Sequence, residues 1–216
     1  MTTAANPTTA RSLVLDATGD VFRLSLASEI RAERREGSKS PVITGKIRYD
    51  VRSKPIYGLF VEIVRRGAFG RALRGEDDPR ALMNHDSAYV LGRRSAGTLR
   101  LMDDSDGLRY EFDAPDTTFG RDLVVSIDRG DIRESSFGFR KIQDQWSEER
   151  TKEGLIIDIR ELLEVELLDL SPVAYPAYPD NTVAKRCWDA RQAERRQSGD
   201  GRDADRARRL RLAETD

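Results

Sequence analysis

The feature that most limits the fold of this chain is a succession of short segments in which apolar and polar residues alternate. Examples are PVITGKIRYDV and the longer run YVLGRRSAGTLRLMDDSDGLRYEFDAP, in which the turn signals SAG and DDSDG separate three predicted strands. Alternation with a period of two is typical of β-strands that bury one face. The sequence therefore predicts a mainly β fold of the α+β class.

Two segments predict helices within this β-rich chain. GAFGRALRG predicts a short helix that ends at Gly75, and TFGRDLVVSIDRGDI predicts a longer one with Thr118 as its cap and Gly130 at its end. A third segment, IRELLEVELLDL, is ambiguous, because its leucines also fit a helical period: positions 162, 163, 167, 168 and 170. The neighbouring isoleucines and valines and the proline that follows favour strands there.

The composition changes near both ends and predicts three parts. Residues 1–20 are rich in Thr, Ala and Ser and are interpreted as a flexible arm, and residues 21–186 as one folded domain. Residues 187–216 are rich in arginine but mixed in charge, which predicts a disordered or marginally helical tail. An interaction segment or a site of self-cleavage is the alternative interpretation of this tail.

The charge balance limits the kinds of partner that are expected. With 37 Lys and Arg against 38 Asp and Glu, the formal net charge is -1, so no nucleic-acid partner is predicted. The arginine-rich tail leaves a nucleic-acid contact as a weaker alternative. No long apolar run predicts a membrane span, and the first residues lack the regions of a signal peptide, so a cytoplasmic location is expected. The single cysteine, Cys187, cannot form a disulfide within the chain.

A single histidine, His85, limits the chemistry further. With one histidine and one cysteine the chain has no HExxH motif and no His/Cys cluster, so neither zinc nor any cofactor is predicted. Histidine exchanges a proton near neutral pH, which makes His85 a candidate general base. It follows the apolar segment ALMN and precedes a polar turn, although a structural histidine would also fit there.

The segment RESSFGFRK supplies a candidate nucleophile. In a strand, Phe137 and Phe139 would face the core while Ser136 and Gly138 face the other side. A serine needs a neighbouring base to act as a nucleophile, and His85 is the one imidazole available. Ser135 is the fallback nucleophile, but it would face the opposite side of the strand.

Several motifs occur in order between about residue 40 and residue 186: NHD, LGR, SAGTL, a GL before an extended strand, APDT, RGDI, SSFGF and PAYP. In this series the chain resembles the HK97-type phage prohead protease family. The resemblance implies a serine endopeptidase with a β-barrel core like that of herpesvirus maturation proteases and a few surrounding helices. It also implies cleavage of a scaffold protein, or of the scaffolding segment of the major capsid protein, inside the procapsid assembling in the host cytoplasm.

Matching the motifs assigns the nucleophile to Ser136, the general base to His85 and the acid that orients the base to Glu111 of LRYEFDAP. Glu166, Glu164 and Asp86 remain alternatives for the acid, and the Gly92–Arg93 amides are candidates for the oxyanion site. Self-processing and a homo-oligomer also agree with the resemblance. The competing hypothesis is a β-rich assembly module that binds coat or scaffold protein without catalysis.

Overall fold

The computed structural model describes residues 20–24, 30–37, 40–56, 58–151, 154, 156–175 and 181–198. Within these ranges the secondary structure comprises ten strands and three helices. In chain order they are β1 (Phe22–Leu24), β2 (Ile30–Glu33), β3 (Val42–Arg48), β4 (Phe60–Val64), α1 (Gly70–Arg74), β5 (Arg80–Met83), β6 (Asp86–Arg93), β7 (Leu99–Asp104), β8 (Gly107–Asp113), α2 (Thr118–Asp128), β9 (Glu134–Arg150), β10 (Ile156–Val173) and α3 (Asn181–Ser198).

The strands form two sheets. The first has the order β1-β9-β10-β5-β6, with β4 also paired to β10, and the second has the order β2-β3-β8-β7. The strands curl into a half-barrel around a core that is rich in aromatic side chains, including the fully buried Phe137 and Phe139. The prediction of a mainly β protein of the α+β class is confirmed.

The centre of the first sheet is the long antiparallel hairpin of β9 and β10. Strand β10 also pairs in parallel with β4 along 158–162 and with β5 at 169–170. The strand interpretation of IRELLEVELLDL is therefore confirmed. Its side chains face the core at Leu162, Val165, Leu167 and Leu170, and the register with β9 shifts between them. Each extra residue in such a bulge lengthens the spacing of core positions from two to three, which produces the helix-like spacing of the leucines.

The two predicted helices are present with one change of cap. Helix α1 ends at Gly75, which has a left-handed φ of 89°, as expected. Helix α2 is capped by Thr117 rather than Thr118, because the Thr117 hydroxyl accepts a hydrogen bond from the Gly120 amide at 3.2 Å. Gly130 follows its last turn with a φ of 79°.

Helix α3 packs on the sheet and carries the folded part of the chain beyond the predicted boundary at residue 186. Trp188 is 5% exposed, and its Nε1 donates to the Asp158 carboxylate on β10 at 3.1 Å. Gln192 and Arg195 donate to the same carboxylate at 3.3 and 3.4 Å. For residues 187–198 the structure thus has the helical form of the predicted disordered or marginally helical tail, and the helix packs on β10. Residues 1–19 and 199–216, on which the other arm and tail predictions fall, lie outside the described residues.

Replacing Trp188 with alanine is expected to lower the free energy of unfolding by about 3–5 kcal/mol, because the change removes a buried aromatic side chain and one donor to Asp158. Urea denaturation measures the effect. Trp188→Phe serves as the control and should cost much less, since it keeps most of the buried volume. A Trp188→Ala protein as stable as the wild type would show that α3 does not pack on the sheet in solution.

Candidate active site

The hairpin of β5 and β6 presents His85 at its tip. Met83 pairs with Asp86, so Asn84 and His85 alone form the turn, with φ values of 53° and 60°. Two consecutive residues with positive φ are the signature of the type I′ turn, which suits a two-residue hairpin. A positive φ is uncommon for any residue other than glycine, although asparagine and histidine adopt it more often than most, and such residues concentrate at functional sites. The tight turn therefore fixes where the imidazole can lie.

The imidazole of His85 contacts a carboxylate on β10. His85 Nδ1 lies 2.6 Å from Asp169 Oδ1, and the two side chains are 5% and 11% exposed. Since a carboxylate accepts hydrogen bonds, this contact favours the tautomer with the proton on Nδ1. His85 Nε2 is buried and makes no hydrogen bond with any described residue. In that tautomer Nε2 is an acceptor that is available to a proton donor.

Gly138 and Ser171 shape the place of the Asp169 carboxylate. Asp169 lies opposite Gly138 in the β9–β10 ladder, and a Cβ atom on Gly138 would lie 2.1 Å from Asp169 Oδ2. Only glycine leaves room for the carboxylate in this position. The hydroxyl of Ser171 donates to Asp169 Oδ1 at 2.6 Å, so the oxygen that contacts His85 is held from a second side.

The two adjacent serines of β9 face opposite sides of the sheet. Ser136 pairs with Ser171, which places it on the face that carries Asp169 and His85. Its hydroxyl is fully buried and donates to the Leu24 carbonyl at 3.1 Å. Ser135 faces the core, where its hydroxyl lies 2.5 Å from the Tyr110 hydroxyl, and burial raises the pKa of that phenol. The structure thus brings His85 and Ser136 to one face and separates Ser135 from them.

Glu111, the predicted orienting acid, does not contact His85. It lies on β8 in the second sheet, where its carboxylate accepts from Arg109 at 2.6 Å and from Arg35 at 3.0 Å. A carboxylate that is 7% exposed needs cationic partners of this kind, and these arginines supply them. The structure gives the contact with His85 to Asp169, a residue that the sequence analysis missed.

The alternative acids also have other surroundings. Glu166 pairs with Arg140 at 3.0 Å, and Asp86 accepts a hydrogen bond from the Ala88 amide at 2.8 Å within its own strand. Glu164 lies at a register irregularity of β10, before the segment that contacts His85. The only sequence cue at Asp169 is an acidic residue two positions before a serine within the apolar segment LLDLSPV, and this cue did not distinguish it from the other acidic residues.

In the Gly92–Arg93 segment, the Arg93 guanidinium bonds to Asp78 rather than to the imidazole. The Arg93 amide donates to Thr98 Oγ1 at 2.9 Å, and its guanidinium donates to Asp78 at 2.7 Å. The hydrogen bond from Arg93 lowers the pKa of Asp78 to about 2. The Arg93 amide thus already has an acceptor, and the oxyanion role of the Gly92 and Arg93 amides stays a prediction.

Metal ligands and membrane spans were sought in the described ranges. No group of three or more His, Cys, Asp or Glu side chains there is placed to hold a metal ion. Among the helices in those ranges, none combines the length and apolar character needed to cross a bilayer.

A histidine held by a buried carboxylate, with its second nitrogen free on a sheet face that also carries a serine, is the arrangement that serine hydrolases use for acyl transfer. The model of the caudovirus prohead serine protease family matches residues 13–196, and the chain belongs to this family of phage capsid maturation proteases. A solved structure, the bacteriophage T4 capsid assembly protease gp21, is similar over 71% of this chain and 99% of that chain, with 12% identity and a TM-score of 0.38. No curated protein matches the chain.

Proposed function

We propose that this chain is a serine endopeptidase in which Ser136 is the nucleophile, His85 the general base and Asp169 the acid that orients the base. The observation that carries the proposal is the 2.6 Å contact between His85 Nδ1 and Asp169 Oδ1, with His85 Nε2 buried and unbonded among the described residues. This contact directs the basic nitrogen away from Asp169. Ser136 lies on the same sheet face.

In the proposed reaction, Ser136 Oγ attacks the carbonyl carbon of the scissile peptide while His85 Nε2 takes the hydroxyl proton. The C–N bond then breaks, and Nε2 returns that proton to the leaving amine, which leaves an ester on Ser136. Water then attacks the ester carbonyl carbon while Nε2 takes one of its protons, the bond between that carbon and Ser136 Oγ breaks, and Nε2 returns the proton to Oγ as the carboxylic acid is released. Asp169 stays ionised and stabilises the imidazolium that forms at each step.

The mechanism requires two local rearrangements around the Ser136 hydroxyl. The Ser136 hydroxyl donates to the Leu24 carbonyl and is buried, so it must exchange this acceptor for His85 Nε2 before it can attack. A serine side chain changes between staggered rotamers at small cost, which favours such an exchange of acceptor. Access of a peptide to the buried hydroxyl also requires that the residues above it open.

The proposed substrates follow from the family. They are a scaffold protein, or the scaffolding segment of the major capsid protein, and the protease itself, cleaved inside the procapsid in the host cytoplasm. Association into a homo-oligomer belongs to the same proposal. Cleavage of a protein segment in that setting agrees with a site whose nucleophile is covered until an extended chain reaches it.

Co-expression of the chain with its cognate coat or scaffold protein tests the proposal. Wild type is expected to yield defined fragments by intact mass, and Ser136→Ala and His85→Ala are each expected to reduce cleavage at least about a thousandfold, because the acyl-enzyme can no longer form. Ser135→Ala is the matched control. It should retain cleavage, since Ser135 faces the core and bonds to Tyr110.

Labelling with a fluorophosphonate identifies the nucleophile independently of any substrate. The adduct is expected on Ser136 in wild type and absent from Ser136→Ala. An adduct on Ser171, or cleavage that persists in Ser136→Ala, would contradict the assignment. A folded wild type that gives neither fragments nor adduct would favour the assembly module instead.

A further inference from the structure

Strand β5, which leads into the His85 turn, is joined to β10 by a short stretch of ladder. The registered pairs between them are Asp169 with Arg80 and Leu170 with Ala81. Side-chain hydrogen bonds extend this contact on both sides of Asp169. We propose that Asn84 and Asp77 form a clamp that fixes the hairpin carrying His85 against β10, and that both are positioning residues for the contact between His85 and Asp169.

Asn84 is the end of the clamp next to His85. Its backbone N–H donates to the Pro172 carbonyl at 2.9 Å, and its side-chain Oδ1 accepts from the Ala174 backbone N–H at 3.0 Å. The turn thereby bonds to Pro172 near the end of β10 and to Ala174 just beyond it. Asparagine suits the position because it adopts a positive φ more readily than most residues, and here φ is 53°. One residue therefore both forms the turn and ties it to the strand that carries Asp169.

Asp77 is the other end of the clamp. Its side chain is 1% exposed, and its Oδ2 accepts from the Leu167 amide at 3.0 Å while its Oδ1 accepts from Arg71 Nε at 3.0 Å. The edge of β10 that faces β4 and β5 has no partner strand between Leu162 and Asp169. In that interval the Ala68 carbonyl accepts from the Val165 amide, and the Asp77 carboxylate accepts from the Leu167 amide.

The register shift between Leu167 and Asp169 explains why this end needs a fixed partner. The extra residue in β10 brings Asp169 opposite Gly138, on the face of Ser136. A bulge is a local irregularity of the ladder, and a buried acceptor for the amide beside it holds the bulge in place. Asp77 bonds at the start of the shift and Asn84 bonds beyond its end, so the segment with Asp169 is held between them.

The effect of the clamp on the reaction rate depends on the distance between His85 and Asp169. His85 and Asp169 belong to different hairpins, and their contact of 2.6 Å persists only if β5 keeps its position along β10. A displacement of about 1 Å between reacting groups can cost about a hundredfold in rate. The catalytic part of the inference rests on the proposed function, whereas the structural part does not.

Variants of Asn84 test the clamp, because the turn and the hydrogen bond can be separated. Asn84→Gly permits the positive φ but removes the acceptor for the Ala174 amide, and Asn84→Asp retains an acceptor. For hydrolysis of a peptide that spans a mapped cleavage site, Asn84→Gly is expected to lower kcat about tenfold to a hundredfold with little change in KM. Asn84→Asp is expected to retain most of kcat.

The single histidine supplies a readout that does not need catalysis. In proton NMR, the Nδ1 proton of His85 should give a strongly downfield signal in wild type because it is shared with Asp169. Asn84→Gly and Asp77→Ala are expected to weaken or shift this signal, and Asp77→Asn, which keeps an oxygen for the Leu167 amide, to preserve it better than Asp77→Ala. Thermal melting of each variant shows that it is folded at the temperature of the measurement.

The outcomes separate the clamp from the proposed function. An unchanged signal and an unchanged kcat in folded Asn84→Gly would overturn the clamp while leaving the protease intact. If the downfield signal is lost in Asn84→Gly and kept in Asn84→Asp, the clamp is supported. If the wild-type protein also cleaves nothing, the proposed function is contradicted while the clamp still stands. If Asp77→Ala does not fold, the two Asn84 variants decide the question.

Discussion

Asp169→Asn is expected to lower kcat for peptide hydrolysis by about ten-thousandfold while the protein remains folded. An asparagine amide group in the same place can donate to His85 Nδ1, which would shift the imidazole proton to Nε2 and leave no acceptor for the Ser136 proton. With the asparagine amide nitrogen at the Oδ1 position, one N–H donates to His85 Nδ1 and the other can donate to the Ser171 hydroxyl, which now acts as the acceptor and keeps the side chain in place. Steady-state kinetics on a peptide from a mapped cleavage site measure the loss.

Glu111→Gln is the control for this first experiment. Glu111 binds arginines on the second sheet, so its replacement is expected to change stability but not kcat at a temperature where the variant is folded. A loss of kcat in Glu111→Gln as large as that in Asp169→Asn would contradict the assignment of Asp169 and restore the acid that the sequence analysis predicted.

Gly138→Ala is expected to lower kcat about a hundredfold or more. The new methyl group would lie 2.1 Å from Asp169 Oδ2, far inside contact distance, so the carboxylate must move away from β9. Any such movement changes the contact with His85 Nδ1, and a misplacement of about 1 Å is enough for an effect of this size. The downfield signal of His85 should change together with kcat, since both depend on the position of Asp169.

Gly70→Ala is the matched control for this second experiment. Gly70 has no positive φ, and the group nearest to its added Cβ is the flexible end of Arg74, at 3.0 Å. The substitution lies in helix α1, where alanine is favoured, and should leave kcat unchanged. A Gly138→Ala protein with wild-type kcat would show that the carboxylate does not need the space above Gly138.

Much of the fold could be predicted from local patterns. The period-two segments, the turn signals and the glycines that end α1 and α2 act within a few residues, and each predicted element of this kind is present. The leucine spacing in β10 was ambiguous for a physical reason. Register shifts near Leu162 and Leu167 give a strand the spacing of a helix, and a bulge depends on the partner strand rather than on the segment itself.

The candidate site also has a part that local patterns predict and a part that depends on how the strands pair. The prediction that Ser135 and Ser136 face opposite sides needs only the alternation of one strand, and the structure places them so. The acid could not be chosen in this way, because the choice depends on which strands neighbour β9 and in what register. Glu111 was chosen because it lies on the strand that follows the GL motif, but that strand belongs to the second sheet. Asp169 lay in an apolar run and was overlooked.

The parallel pairing of β5 with β10 also determines when the site can exist during synthesis. His85 and Asp169 are separated by 84 positions in the chain, and among the strands that the structure describes β10 is the last to be synthesised. Contacts of such long sequence separation form late in folding, because a large loop must close first. A nascent or truncated chain that ends before β10 carries a histidine and a serine without the carboxylate that orients them. Under the proposed function, such a chain is expected to cleave its neighbours far more slowly than the complete fold does.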